Sequence, residues 1–148
     1  MEVKDLISAV LQQKGSRVWS VPPDATVYDA LLMMAQNEIG ALLVLESGQL
    51  IGLFSERDYA RKVILHGRAS KETAVSEVML KNPSTVSLAC AVSDAMKIMT
   101  ETRVRHLPVI GSSGSVVGVV SIGDLVKWII TSQDETIEQL HSYISGRS

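Results

Sequence analysis

The chain repeats itself once, and this internal duplication constrains the fold more than any other feature of the sequence. When residues 21–64 are laid over residues 86–130 with one gap near Ser113, the segment GLFSERD (52–58) falls on GVVSIGD (118–124). Self-similarity of this kind indicates one structural unit that is built twice. A unit of about 45 residues is too small to form a good core alone. We therefore expect two similar lobes related by a pseudo-twofold axis.

Each copy predicts the same order of elements, a β-α-β-β-α unit of the α/β class. In the first copy the apolar residues of 26–38 have helical spacing, and the apolar run 41–45 is typical of a strand covered on both faces. Ser47-Gly48 marks a turn, and Ser55 with Asp58 begins a second helix. The predicted strands are 18–21, 41–45, 50–54, 85–86, 106–110 and 116–120, and the predicted helices are 26–38, 55–65, 92–102 and 122–130.

Three segments lie outside the two copies. Residues 3–13 carry an apolar stripe that predicts an amphipathic helix, and residues 132–145 predict a capped helix. Both terminal helices are expected to dock on the repeats or on a second subunit. The polar segment between the two copies is expected to be a linker. The expected organisation is an N-terminal helix in 1–17, a first repeat in 18–66, a linker in 67–82, a second repeat in 83–131 and a C-terminal helix in 132–148.

Composition argues against several classes of function. Hydrophobic residues make up 46% of the chain and the formal net charge is −2, so the chain favours collapse and attracts nucleic acid only weakly. Its apolar runs are far shorter than the roughly 20 residues that cross a membrane. The N-terminus has charges of both signs and no signal-peptide pattern, and Cys90 is the single cysteine. We therefore expect no internal disulfide, no membrane or nucleic-acid partner and a reducing, cytoplasmic location.

Metal binding and nucleophilic catalysis both lack a matched set of residues. His66, His106 and His141 are isolated, with no second ligand at metal-binding spacing. Ser55 and Ser121 have no histidine nearby in the sequence, and no Gly-rich phosphate loop is present. The sequence therefore predicts neither a metal site nor an enzyme.

The doubled unit resembles a tandem pair of CBS domains, also called a Bateman module. The resemblance rests on the apolar central strand and the Gly-x-x-Ser-x-x-Asp ending of each copy, and it covers about residues 18–131. The strings FSERDYARK (54–62), RVRHLPV (103–109) and SIGDLV (121–126) are similar to those of stand-alone bacterial members. The resemblance implies a non-catalytic regulatory module that binds adenosine derivatives in clefts between the repeats and packs as a dimer.

The Ser-x-x-Asp motif suits a nucleotide ligand on chemical grounds. Ser55 and Ser121 begin helices, where free N–H groups and the helix dipole favour an anion such as phosphate. An ionised carboxylate accepts hydrogen bonds from both hydroxyls of a ribose, which is the role expected of Asp58 and Asp124. The same spacing is also a helix-capping pattern worth about 1 kcal/mol. Capping and ligand binding therefore stay open as alternative or coexisting roles.

The two copies differ in charge beside this motif. Arg57 lies inside the first motif, and the resemblance implies that Arg105 and His106 enter a cleft, where a guanidinium suits bidentate binding of phosphate. The corresponding positions of the first copy are the uncharged Gly40 and Ala41. The two candidate sites are therefore expected to be inequivalent. The predicted nucleotide-binding residues are Gly40, Ala41, Ser55, Arg57, Asp58, Arg105, His106, Ser121, Gly123 and Asp124.

The basic residues favour a phosphate-bearing ligand over S-adenosylmethionine. AMP is the preferred ligand, with NAD(H) or ATP as alternatives. Two functions stay open: a sensor of adenine nucleotides that acts on an unknown regulated protein, and a structural module for dimerisation or partner docking whose clefts are vestigial. A homodimer is expected in both cases, because helix residues are predicted to face outward as well as inward. Examples are Met33, Val63, Ile98 and Ile129.

Overall fold

The computed structural model describes residues 5–132 of the chain. The predicted C-terminal helix, apart from its first residue, lies outside the described residues, as do residues 1–4. The described helices are α1 (Ile7–Lys14), α2 (Val27–Asn37), α3 (Glu56–Tyr59, continued by the π-helical turn Ala60–Ile64), α4 (Val75–Val78), α5 (Val92–Thr102) and α6 (122–132), with a 3-10 turn at Ser70–Glu72. The described strands are β1 (Ser20–Val21), β2 (Ala41–Glu46), β3 (Gln49–Ser55), β4 (Leu80–Lys81), β5 (Val86–Ser87), β6 (His106–Ile110) and β7 (Val116–Ser121).

The strands form two sheets, one for each repeat. In the first lobe β1 runs parallel to β2, and β2, β3 and β4 are successively antiparallel. In the second lobe β5 runs parallel to β6, which is antiparallel to β7. The register places Ala41 opposite Ser55 and, in the equivalent position, His106 opposite Ser121. The prediction of a doubled β-α-β-β-α fold of the α/β class is confirmed.

The central strand of each sheet is buried on both faces, as the continuous apolar runs predict. Leu42, Leu43 and Val44 of β2 are buried, and so are Leu107 and Val109 of β6. Helices α2 and α5 pack against these strands through buried residues at helical spacing. Each lobe therefore has its own apolar core, and the start of the central strand is held at a fixed place on the lobe surface.

Each core is completed by the helix that precedes the other repeat. Ile7, Val10 and Leu11 of α1 are buried in the core of the second lobe, although α1 comes before the first repeat. Val75 and Val78 of α4, which comes before the second repeat, are buried in the core of the first lobe. This exchange ties the two lobes together through their hydrophobic cores.

Equivalent backbone hydrogen bonds fix the two exchanged helices. The Ile7 N–H donates to the Cys90 carbonyl at 2.9 Å, and the Val75 N–H donates to the Ala25 carbonyl at 2.8 Å. The linker predicted at 67–82 is therefore not a plain polar connection in its second half, which supplies α4 and the edge strand β4. The sequence does not predict α4, because two buried valines in a four-residue helix are too few to show a periodicity.

Two glycines of the repeated motif lie where the exchanged helices approach the sheets. A Cβ atom at Gly52 would overlap the Met79 sulfur and lie 3.1 Å from the Leu80 carbonyl oxygen. A Cβ atom at Gly118 would lie 2.9 Å from both δ carbons of Leu11. Glycine at these positions therefore permits close packing of the segments that complete each lobe.

The outward apolar surface differs from the one expected from the helix patterns. Val63 is fully buried in the first core, and Met33, Ile98 and Ile129 are only partly exposed. The prediction that Val63 faces outward is wrong, because α3 passes into a π-helical turn, which changes the face that each following residue presents. Among residues 5–132, the large apolar side chains that are exposed are Tyr28, Leu32, Ile64, Leu65, Val126 and Ile130.

Candidate functional site

Two clefts combine the Ser-x-x-Asp motif of one repeat with the start of the central strand of the other. The first cleft, about 430 Å³, joins residues 55–58 to residues 102–106. The second cleft, about 350 Å³, joins Ser121 and Asp124 to residues 38–41. Both volumes lie in the range of roughly 300–1,000 Å³ that is typical of small-molecule sites.

Gly40 and His106 contribute to both clefts and so lie between them. A Cβ atom at Gly40 would lie 3.8 Å from the Cε1 and Nε2 atoms of His106 and 2.9 Å from the Glu56 carboxylate. Equivalent backbone hydrogen bonds hold the start of each central strand to the following helix. The Glu56 N–H donates to the Gly40 carbonyl at 3.1 Å, and the Ile122 N–H donates to the Arg105 carbonyl at 2.8 Å. A side chain at residue 40 would therefore crowd the boundary between the clefts.

The Ser-x-x-Asp motif caps a helix in both repeats. The Ser55 N–H donates to Asp58 Oδ2 at 2.9 Å, and the Asp58 N–H donates back to Ser55 Oγ at 3.2 Å. The Ser121 N–H donates to Asp124 Oδ2 at 2.8 Å, and the Asp124 N–H donates to Ser121 Oγ at 3.1 Å. The capping role left open by the sequence is therefore present, and it holds each carboxylate at the edge of its cleft.

The first cleft is rich in positive charge. Five basic side chains and two acidic ones line it, so that a phosphate there meets a net attraction. The Arg57 Nη1–H donates to the Arg103 carbonyl at 3.1 Å, which bridges the two repeats. The basic side chains are Arg57, Arg61, Lys62, Arg103 and Arg105, and the acidic ones are Glu56 and Asp58.

The second cleft has a balanced charge and a contact that the sequence did not reveal. Lys14, at the end of α1, donates to Asp124 Oδ2 at 2.5 Å and to the Val119 carbonyl at 2.7 Å. The guanidinium of Arg17 lies 5.5 Å from the ring centre of Trp19. Lys14 is about a hundred residues from its partners in the sequence, so no local spacing could identify it.

The pKa values of two side chains near the second cleft, Asp124 and His106, differ from their ordinary values. Burial by itself would raise the pKa of Asp124, but the hydrogen bonds from Lys14 and Ser121 outweigh burial and leave this pKa below its usual value. Burial lowers the pKa of His106, the charges of Lys14 and Arg105 lower it further, and Asp124 opposes them. At neutral pH Asp124 is thus ionised and His106 is neutral.

Acidification from pH 7.5 to 5.5 is expected to destabilise the protein through His106. Its pKa is lower in the folded chain than the ordinary value of 6.5. Below that pH the unfolded chain therefore binds a proton that the folded chain does not, and stability falls as the pH falls. Thermal unfolding at the two pH values should show a smaller loss of Tm in His106→Asn than in the wild type.

The matched control for this measurement is His66→Asn, because His66 is exposed in a turn after α3. This variant should lose as much Tm on acidification as the wild type does. An equal loss in His106→Asn and the wild type would contradict the assignment to His106.

Nine of the ten predicted site residues line a cleft, and Gly123 lines neither. Their roles in binding stay predictions. Residues that line the clefts and were not in the predicted set include Lys14, Arg17, Trp19, Glu38, Arg61, Lys62 and Arg103. Gly40, Ser55, Arg57, Asp58, Arg105 and His106 line the first cleft, and Gly40, Ala41, His106, Ser121 and Asp124 line the second.

Three further observations concern residues 5–132 alone. Within them, no group of three or more His, Cys, Asp or Glu side chains is arranged to hold a metal ion. No described helix has the length and hydrophobicity needed to cross a bilayer. Cys90 is partly buried, and its burial, followed by the charge of Asp94, raises the pKa of its thiol. A raised pKa makes the thiol a poorer nucleophile at neutral pH.

Known proteins resemble this chain over most of its length. A protein of Arabidopsis thaliana named CBS domain-containing protein CBSX3, mitochondrial, is 41% identical over 95% of this chain and 72% of its own length. A structure from Burkholderia ambifaria MC40-6, provisionally described as a signal-transduction protein with CBS domains, is 41% identical, with a TM-score of 0.82 over 86% of this chain and 96% of that one.

A third relative and the family model agree with these two. The CBS-domain containing protein ATU1752 of Agrobacterium tumefaciens is 36% identical, with a TM-score of 0.78 over 82% of this chain and 97% of that one. The model of the CBS domain matches twice, over residues 3–64 and 75–131, and each match begins with the helix that completes the opposite lobe. The chain therefore belongs to the CBS domain family and carries two CBS repeats.

Proposed function

We propose that the chain is a non-catalytic regulatory module that binds an adenosine nucleotide in the first cleft, with AMP as the preferred ligand and NAD(H) or ATP as alternatives. The observation that carries the proposal is the meeting of Asp58 with the basic side chains of Arg103 and Arg105 in one cavity. A carboxylate that accepts from a ribose diol and guanidinium groups that donate to phosphate are both within this space.

The charge of the first cleft supports a ligand with phosphate. Arg57 and Arg105 come from different repeats and line the same cavity, so a phosphate between them links the lobes. Guanidinium groups bind phosphate oxygens in pairs, and such hydrogen bonds are stronger than neutral ones. S-adenosylmethionine has a cationic sulfur and no phosphate, so this cleft suits it less well.

Asp58 can accept a hydrogen bond from a ribose hydroxyl at a small cost in free energy. Its Oδ2 is used in the helix cap, while its Oδ1 lies 3.3 Å from the Lys62 ammonium on the same helix. The Lys62 side chain is 45% exposed, and exposed pairs four residues apart contribute only about 0.3–0.5 kcal/mol. A ribose hydroxyl can therefore replace Lys62 at Oδ1 without disturbing the cap.

Calorimetric titration with AMP tests the proposal. The wild type should give a saturable heat, and Asp58→Ala should weaken binding at least tenfold, because hydrogen bonds to a charged group contribute about 1.5–3 kcal/mol. The control is Asp94→Ala, which removes an exposed carboxylate in the first turn of α5, outside both clefts. No saturable heat with AMP, NAD or S-adenosylmethionine would contradict the proposal and favour the structural module with vestigial clefts.

We also propose that the chain forms a homodimer through its exposed apolar side chains. Leu32 on α2 and Ile130 on α6 are about half exposed, and such residues are costly to leave in water when they form a patch. A hexameric CBS-CP12 protein from bloom-forming cyanobacteria, 25% identical with a TM-score of 0.74 over 82% of this chain and 70% of that one, shows that a related chain assembles.

Sedimentation at micromolar concentration checks the dimer. The wild type should sediment as twice the mass of one chain, and Leu32→Glu with Ile130→Glu should shift it to the monomer. The control substitution is Lys97→Glu, at an exposed polar position of α5. A stable wild-type monomer would contradict the dimer and leave nucleotide binding untouched.

A cytoplasmic location and a regulated protein target belong to the same proposal. The cytoplasmic location is proposed for this chain alone, since the Arabidopsis relative is named a mitochondrial protein. Nucleotide binding would reach a target through the relative position of the lobes, because the first cleft is formed from both repeats.

A further inference from the structure

The second cleft already has a cation on its carboxylate. Lys14 donates to Asp124 Oδ2 and to the Val119 carbonyl, so two of its three N–H groups are used within the cleft. The Lys14 and Asp124 side chains are only 38% and 24% exposed. Because Asp124 Oδ2 also accepts the Ser121 N–H of the cap, a ribose hydroxyl could approach only Oδ1, on a carboxylate that already holds an ammonium group.

The position of Lys14 is fixed by the core. Helix α1 is anchored in the second lobe by three buried side chains, Ile7, Val10 and Leu11. Lys14 follows Leu11 by one turn, and the Gly15 N–H donates to the Leu11 carbonyl at 2.7 Å, which closes the helix end. Because the helix is held by packing, the backbone of Lys14 is already ordered, and only side-chain freedom is lost when Lys14 pairs with Asp124.

Within residues 5–132, α4 supplies the first cleft with no cation equivalent to Lys14. Helix α4, the counterpart of α1, ends at Val78 after four residues and is followed by β4, whose Leu80 lines the first cleft. The cation nearest Asp58 is Lys62, which comes from the same helix and is more exposed than Lys14. The longer α1 thus places on Asp124 a lysine that makes two hydrogen bonds, of 2.5 and 2.7 Å, whereas the lysine beside Asp58 lies at 3.3 Å.

The charges of the second cleft agree with this difference. Two cations, Lys14 and Arg17, line it with two carboxylates, Glu38 and Asp124, whereas the first cleft has an excess of basic groups. A phosphate entering the second cleft therefore gains no net attraction from the charged side chains that line it.

We propose that Lys14 closes the second cleft to nucleotide by occupying the carboxylate of Asp124, so that each chain binds one nucleotide, in the first cleft. This inference rests on the proposed function, because it concerns which of the two clefts that function uses. Lys14 is a positioning residue for selectivity between the clefts, and its removal converts a chain with one site into a chain with two.

Calorimetric stoichiometry with AMP tests the inference. The wild type should bind one AMP per chain, with binding lost in Asp58→Ala and kept in Asp124→Ala. Lys14→Met keeps the apolar stem and removes the ammonium, so it should bind two AMP per chain. The added site should disappear when Asp124→Ala is combined with Lys14→Met.

Two variants serve as controls. Lys14→Arg keeps a cation on Asp124 and should bind one AMP, and Lys97→Met removes an exposed lysine of α5 and should also bind one. Thermal unfolding of each variant without AMP checks that it is folded, and Lys14→Gln replaces Lys14→Met if the latter does not fold.

Three outcomes would overturn the inference. They are two sites in the wild type, a single unchanged site in folded Lys14→Met or Lys14→Gln, and weaker AMP binding in these variants, which would assign Lys14 to the ligand. In each of them AMP still binds, so the proposed function stands. Absence of binding in the wild type and in every Lys14 variant would overturn the proposed function itself.

Discussion

Ile7→Ala is expected to lower the free energy of unfolding by about 3 kcal/mol, within the range of about 2–5 kcal/mol for such truncations in a core. Ile7 is fully buried and is among the largest buried side chains of the protein. It packs in the second lobe with residues more than 80 positions away, among them Val92 and Leu125. Urea unfolding, followed by circular dichroism, measures the change.

Gln12→Ala is the matched control, because Gln12 is exposed on the same helix. Its effect should stay within about 0.5 kcal/mol. A loss below about 1 kcal/mol in Ile7→Ala would contradict the assignment of α1 to the core of the second lobe. It would also remove the anchor that fixes Lys14 beside Asp124.

Arg105→Ala is expected to weaken AMP binding about 10- to 100-fold and adenosine binding less than about threefold. Loss of a hydrogen bond between charged groups costs about 1.5–3 kcal/mol, which corresponds to that range. Adenosine lacks the phosphate, so it loses little when the guanidinium is removed. Calorimetric titration of the wild type and the variant with both ligands gives the four affinities.

Arg17→Ala is the control for Arg105, because Arg17 lines the second cleft and not the first. AMP affinity should be unchanged in this variant. Equal losses for AMP and adenosine in Arg105→Ala would contradict a phosphate contact. A loss of AMP affinity in Arg17→Ala that exceeds the loss in Arg105→Ala would indicate that AMP binds in the second cleft.

The elements of the repeats could be predicted from the sequence because each has a local signal. Helix α5 and strand β6 have the predicted bounds, since an apolar periodicity and a continuous apolar run define them. The Ser55–Asp58 cap was visible for the same reason, as its residues are three apart. Helix α4 was missed because its contribution is tertiary: two valines that enter the core of the first lobe.

The site was predictable only in part, because the clefts join segments that are far apart in the sequence. Ser55, Asp58 and Arg105 carry chemistry that can be read locally, and all three line the first cleft. Lys14 became a site residue only through the docking of α1 on the lobe of the other repeat. A single sequence contains no local pattern that pairs residue 14 with residue 124.

A crystal structure of the chain grown with AMP tests the central proposal most directly. We expect the nucleotide in the first cleft, with its ribose hydroxyls within hydrogen-bond distance of the Asp58 carboxylate and its phosphate beside Arg105. Clear density for AMP in the second cleft alone, or on the outer surface away from Asp58, would contradict it.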